Sequence, residues 1–316
     1  MTWNTLASAA IASAADLYRR VGEIGARYAL ELVETAGRGQ GMRNGARHLA
    51  SELVALPGLA WSRLGAALDP VLARAEEPGA SAPVDGREVL FPLRVLDASQ
   101  GLAVYAVPIA PAQALLDARH HGDLVAADIG GARAALEIFV VDYRIADLGA
   151  YRELGVGLYV TPRTRPWQLG LTVLHEPVTG RFACRAGVEI WGDPKTEERL
   201  EFDLRDTMLS CRLVRAEDER LVLSFTVPRG GTGASTDVPL TLYTRLGGRL
   251  HASRLVRTGR GERVRAGWAG VTLALHDVTD PLSQALRTLG LPDITPIFHS
   301  WTEHMSARVS RPVAIG

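Results

Sequence analysis

Lys195 is the only lysine in a chain of 316 residues, and every other member of its 35 basic residues is arginine. Arginine can replace lysine as a surface cation or ion-pair partner, but its pKa above ~12 keeps it protonated. Attack on a carbonyl to form an imine needs a neutral amine, which only lysine can supply. The residue sits in Gly187-Val188-Glu189-Ile190-Trp191-Gly192-Asp193-Pro194-Lys195-Thr196. Asp-Pro-Lys-Thr is also good turn chemistry, and on that reading Lys195 is a solvated turn residue.

Two carboxylates stand out beside it. Glu137 interrupts the apolar run Leu136-Glu137-Ile138-Phe139-Val140-Val141-Asp142-Tyr143. Strand alternation places Ala135, Glu137, Phe139, Val141 and Tyr143 on one face. A carboxylate among such neighbours is costly unless paired, so it is either partly exposed or held for a purpose. Glu153 follows the turn-like Leu148-Gly149-Ala150-Tyr151, where a solvated loop acid is the plain alternative.

These three stretches, in this order over roughly residues 87–310, resemble the acetoacetate decarboxylase superfamily. The lysine segment matches its Gly-x-Glu-Ile pattern followed by an aromatic and Pro-Lys. The segments around Glu137 and Glu153 resemble its two glutamate-bearing stretches. The resemblance implies that Lys195 is the nucleophile, with Glu137 and Glu153 orienting substrate and moving a proton at the enamine carbon. Trp191, Asp193, Tyr151, Phe139 and Arg94 are the expected substrate-binding residues. Three positions depart from the family pattern. Ala98 stands where an arginine is expected, with Arg94 its neighbour in sequence, Thr196 stands where a second lysine is common, and Asp193 where an aromatic is usual. At a reference pKa of ~10.4, about one lysine in 2,500 is neutral at pH 7, and moving it to ~7 requires about 4.6 kcal/mol favouring the neutral form. Thr196 supplies no cation for this and Asp193 opposes it, so desolvation by Trp191 and Phe139 is expected to do most of the work.

The surrounding elements follow from periodicity. Residues 1–75 read as a helical arm, with Leu17, Val21, Ile24, Tyr28 and Leu32 forming one stripe. Residues 76–86, rich in Pro, Ala and Gly, read as a linker, and 87–316 as the main domain. Short apolar runs there predict strands near 87–96, 101–107, 134–144, 155–162, 168–176, 181–191, 199–204, 207–215, 219–228, 238–246, 249–257 and 268–276. Helices are predicted at 111–119, 280–289 and 295–308. His299 and Glu303 are expected as a surface pair on the last of these. The glycine-rich stretch near 229–235 lacks a phosphate loop's Gly-Lys-Ser/Thr and reads as a flexible connection. The fold class is therefore α+β, a mainly antiparallel β barrel or cone with an N-terminal helical arm.

Composition narrows the function. Basic and acidic residues both number 35, without the basic surplus usual in nucleic-acid binders. No apolar run reaches the ~18 residues of a membrane span. Two cysteines, Cys184 and Cys211, are too few for a disulfide scaffold and suit a reducing, cytoplasmic setting. No cysteine pair has metal-ligand spacing, and His299-x4-His304 is not the His-Glu-x2-His zinc pattern. The resulting expectation is a cytoplasmic homo-oligomeric carbon–carbon lyase, decarboxylase-like and free of cofactor and metal. It would act through Lys195 on a β-keto acid or related carbonyl compound. The alternatives are imine-dependent aldol or dehydration chemistry, and a non-catalytic barrel that binds a small molecule or lipid.

Overall fold

The structure, a computed structural model, describes residues 79–120, 122–166, 168–229, 237–260, 263–266 and 270–315. The expected helical arm, the start of the linker and the body of the glycine-rich loop lie outside the described residues.

The chain opens with a hairpin, β1 (Ser81–Val84) and β2 (Arg87–Leu90), then the long β3 (Leu93–Pro108) and helix α1 (Ile109–His120). Next come β4 (Leu124–Ala126), β5 (Arg133–Ala146), β6 (Tyr151–Pro162) and β7 (Gly170–Val178). A short helix α2 (Arg181–Ala186) runs into a π-helical turn (Gly187–Trp191), followed by β8 (Lys195–Glu197). The remaining elements are β9 (Arg199–Leu204), β10 (Met208–Val214), β11 (Leu221–Pro228), β12 (Asp237–Leu246), β13 (Arg249–Arg260), β14 (Arg263–Ala266), β15 (Thr272–Leu275), α3 (Pro281–Thr288), β16 (Pro296–Val309) and β17 (Val313–Ala314).

Hydrogen bonding runs in the order β16-β3-β5-β6-β7-β12-β13, and β13 pairs back onto β16. These strands close into a barrel, which removes the exposed edges an open sheet would carry. Its pairs are antiparallel except for β7 and β12, which meet in parallel at Leu171 and Leu242. A second sheet, β15-β11-β10-β9, packs on the outside of the wall. The expected mainly antiparallel α+β barrel is the fold the chain adopts.

Both faces of the wall are covered, which is why its strands read as near-continuous apolar runs. On β5, Leu136, Ile138 and Val140 face outward into a core shared with Leu209, Cys211, Phe225 and Val227 of the second sheet and Leu286 of α3. Ala135, Phe139 and Val141 face inward, packed with Val104, Ala98 and Met305. Close approach sets two glycines. A Cβ on Gly101 would overlap Val227, and one on Gly155 would overlap the Phe139 ring.

Three sequence expectations are corrected. Residues 181–191 are helical, because Ala183, Ala186 and Ile190 form a buried face at helical spacing that apolar content alone does not distinguish from a strand. Residues 295–308 belong to strand β16, which closes the barrel between β3 and β13. Glu303 accordingly pairs with Arg229 and accepts from the Trp301 indole, and does not form a helical pair with His299. Within the expected linker, Ser81–Val84 pairs with β2, and Val84 is buried beside Trp191. The expected helix at 280–289 is present, with Asp280 accepting from the backbone N–H of Leu282 as its cap.

Gly155→Ala should lower the melting temperature by several degrees, since overpacking a barrel interior costs about 1–3 kcal/mol. Thermal denaturation followed by circular dichroism checks this, and an unchanged midpoint would refute the close approach of Phe139.

Candidate active site

Three adjacent strands bring the charged groups together. Glu153 on β6 lies opposite Val178 of β7, and β8 runs parallel to β7 with Lys195 paired to Glu176. The Lys195 Nζ donates to Glu153 Oε2 at 2.6 Å and lies 3.4 Å from Glu176 Oε1. All three side chains are more than nine-tenths buried. The solvated-turn reading of Lys195 is therefore excluded.

The turn before β8 makes room for this chain. A Cβ on Gly187 would lie 2.5 Å from Lys195 Cε and closer still to Cδ, so the lysine stem crosses the face of the π-helical turn where a side chain is absent. Gly192 ends that turn in the left-handed region at φ 72°, and Asp193 N–H returns to the carbonyl of Gly187 at 3.1 Å. Trp191, expected to contact substrate, instead fastens the turn from below. Its indole donates to the Ser310 carbonyl at 3.1 Å and it packs edge-on against Phe91 at 5.8 Å.

Tyrosines form the wall beside the amine. Tyr143 and Tyr151 are directly paired across β5 and β6, and their rings stack at 4.3 Å. Tyr143 donates to Glu153 Oε1 at 3.1 Å, and the Lys195 Nζ lies 5.7 Å from the centre of the Tyr151 ring. Of the expected residues, Lys195, Glu153, Asp193 and Tyr151 share one site.

Glu137, Phe139 and Arg94 lie apart from that site. Glu137 is buried and accepts from Tyr159 at 2.6 Å. Glu153 stands level with Val141, so four residues, roughly 13 Å of strand, separate it from Glu137 along the barrel. The Phe139 ring fills the apolar layer between them, held over Gly155. Arg94 points to the surface, 59% exposed and paired with Asp147 at 3.2 Å. Motif spacing gives the order of these residues but not how far the strand carries them from Lys195.

The electrostatics reverse the expected activation of the lysine. Burial alone would drive the ammonium to release its proton, but Glu153, Glu176, Tyr151 and Asp193 outweigh it and hold the Lys195 pKa well above the usual lysine value. Burial raises Glu176 well above the ordinary carboxylate range, against the pull of Lys195. Its Oε2 is buried without a hydrogen-bond partner among the described residues. Burial also pushes Asp193 up to about 6, with Lys195 and Arg119 opposing the rise.

Sequence reading missed Glu176, Tyr143 and Arg119 as members of the site. Glu176 carries the same signal as Glu137, a lone acid in the apolar run Leu174-His175-Glu176-Pro177-Val178. Tyr143 was already on the inward face of its strand. Arg119, at the end of α1, has no local signature.

Gly187→Ala should preserve the far-ultraviolet circular dichroism while displacing the amine, lowering borohydride-trapped imine by tenfold or more. Undiminished trapping would show that the stem does not cross this glycine. Asp193→Asn removes an anion that favours the ammonium, so the Lys195 pKa falls. The pH profile of trapping should then move toward acid by roughly one unit. A shift toward alkali would contradict the proximity of Asp193.

No protein-family model matches the sequence, and no curated protein matches it. Among solved structures, acetoacetate decarboxylase from Legionella pneumophila is 14% identical with a TM-score of 0.54, covering 79% of this chain and 96% of that one. The enduracididine biosynthesis enzyme MppR complexed with pyruvate is 16% identical with a TM-score of 0.53, covering 76% and 98%. The barrel closed by β16, with its second sheet outside, is thus the acetoacetate decarboxylase-like fold.

Proposed function

We propose that this protein is a cofactor-free imine-forming enzyme in which Lys195 is the nucleophile. The observation that carries the reading is the burial of the chain's one lysine between Glu153 and Glu176. A lysine kept only for charge has no reason to leave water, since burial of an ion pair is expensive and seldom improves stability. The names of the two structural neighbours, a decarboxylase and an enzyme complexed with pyruvate, support a small carbonyl substrate.

In this mechanism Glu153 accepts a proton from the Lys195 ammonium across their 2.6 Å contact. The neutral amine attacks the substrate carbonyl, Glu176 protonates the oxygen, and water leaves as the protonated imine forms. That imine accepts the electron pair when a carbon–carbon bond breaks. If the bond is to a carboxylate, carbon dioxide departs and an enamine remains. Protonation of its carbon and hydrolysis of the imine release product and restore the amine. Glu153 and Glu176 carry these transfers, with Glu137 too distant along the barrel for direct contact with the amine.

A second reading, aldol or dehydration chemistry through the same imine, draws on Asp193 and Glu176. Two extra acids beside an amine held as ammonium suit proton transfer at carbon and oxygen more than release of carbon dioxide. Ala98, fully buried in the apolar interior, offers no cation to a β-keto acid. The two free cysteines accord with a cytoplasmic setting, and the apolar stripe at 17–32 with a homo-oligomer.

Borohydride reduction with a small keto acid should add one substrate residue to the peptide carrying Lys195. Lys195→Gln should abolish both labelling and turnover while the circular dichroism persists. Turnover surviving in that variant, or labelling confined to the terminal amine, would exclude the mechanism. Carbon dioxide release from acetoacetate should be weak in the wild type and rise in Asp193→Phe. Vigorous wild-type release near neutral pH would return the assignment to plain decarboxylation.

A further inference from the structure

Asp193 stands where the resembled family usually has an aromatic, and its carboxylate makes no hydrogen bond or ion pair with any described residue. Its charged neighbours come from four elements. Lys195 on β8 attracts it, Glu153 on β6 and Glu176 on β7 repel it, and Arg119 near the end of α1 attracts it. Arg119 lines a cavity of about 310 Å³ together with Gly192 and Pro194, the residues that flank Asp193 in the chain. The guanidinium thus faces the Asp193 turn across a small space without direct contact.

Arg119 is only partly exposed, and it too makes no hydrogen bond or ion pair with any described residue. Its neighbour in the same wall, Arg245, is paired with Asp123. The partly buried Arg144, Arg215 and Arg229 likewise each hold a carboxylate. A guanidinium withdrawn from water without such a partner carries a desolvation cost that nothing local offsets. Burial accordingly holds the Arg119 pKa below its usual value, and Asp193 and Glu176 only partly counter this. His175 on β7 is the remaining titratable group nearby, and burial and Arg119 both lower its pKa. A cation that stands among acids without pairing with any of them contributes little to the fold and acts on their ionisation.

We propose that Arg119 is a positioning residue for the reaction at Lys195, its guanidinium acting across the cavity on the Asp193 carboxylate. The inference rests on the imine reading above and concerns its proton transfers. A buried carboxyl left among other acids keeps its proton and cannot serve as a base. Burial pushes Asp193 up to about 6, with Lys195 and Arg119 opposing the rise and Glu153 adding to it. The cation on α1 therefore keeps Asp193 able to accept a proton near neutral pH, as the aldol and dehydration chemistry requires. In that chemistry a C–H bond beside the imine breaks and its electron pair forms the enamine double bond. The imine π pair moves to nitrogen, and the carboxylate takes the proton.

The test follows the carbonyl band of protonated carboxyl groups in infrared difference spectra recorded over a pH titration. The component missing from Asp193→Asn reports Asp193. Its midpoint should lie near 6 in the wild type. In Arg119→Gln it should move toward alkali by roughly one unit, since loss of a nearby cation favours the protonated carboxyl. Arg119→Lys restores the charge and should bring the midpoint most of the way back. Arg119→Met, which keeps the apolar stem, takes the place of Arg119→Gln should that variant not fold. An unmoved midpoint in the neutral variants, or an equal shift in Arg119→Lys, would overturn the proposal. Exchange of the acetone methyl protons for deuterium, read by nuclear magnetic resonance, requires the imine and the base together. At the wild-type midpoint Arg119→Gln should slow it by about fivefold, the loss of ionised carboxylate for a one-unit shift. In the Asp193→Asn background the same substitution should change nothing, and an equal slowing there would overturn the proposal. Should the wild type neither exchange acetone nor form a trapped imine with it, the imine reading fails on its own. The infrared midpoint then still decides whether Arg119 governs Asp193.

Discussion

The 2.6 Å contact between the Lys195 ammonium and Glu153 is the constraint on which the site depends. A buried ammonium and a buried carboxylate are each tolerable only in the presence of the other. With Glu176 and Asp193 added, three acids surround one amine, more negative charge than a dry site can hold. The crowding shows in the acids themselves, since burial raises Glu176 well above the ordinary carboxylate range and moves Asp193 to about 6. The cluster therefore sets a buried lysine, held toward its ammonium form, among three closely placed acids. Such a field differs from one that activates a lysine by stripping its proton in advance.

The same constraint explains the local backbone. An amine driven into the barrel wall needs a path for its four-carbon stem, and Gly187 leaves that path open. The π-helical turn and left-handed Gly192 then reverse the chain so that β8 can align Lys195 with Glu176 on β7. Trp191 secures the turn from the opposite side through Ser310 and Phe91.

Polarity is distributed along the barrel in separate layers. One end holds Lys195, Glu153 and the stacked Tyr143 and Tyr151. The middle is apolar, filled by Phe139 over Gly155. Beyond it Glu137 and Tyr159 form another buried pair, with Arg257 donating to Gln100 nearby. Two glutamates in similar sequence settings thus have different roles. Glu153 shares a proton with the amine, and Glu137 completes a satisfied pair with a tyrosine.

By itself the sequence determined the class of fold and most strands of the barrel wall, and it singled out Lys195. Those strands were legible because each is covered on both faces, so their apolar runs are long and bounded by glycine and proline. Lys195 was legible because its chemistry cannot be transferred to arginine. The strand-like reading of 181–191 and the helical reading of 295–308 failed because apolar content does not separate helix from strand where burial comes from several sides. The partners of Lys195 were decided only by tertiary structure. Glu176 meets the amine through a parallel pairing of β7 with β8, and Arg119 approaches from a helix far away in sequence. Glu137 and Arg94, near in motif, are carried off by strand rise and by an outward-facing side chain. The physical reason is that a charge's chemistry depends on the field of its neighbours and on its distance from water, and barrel closure sets both.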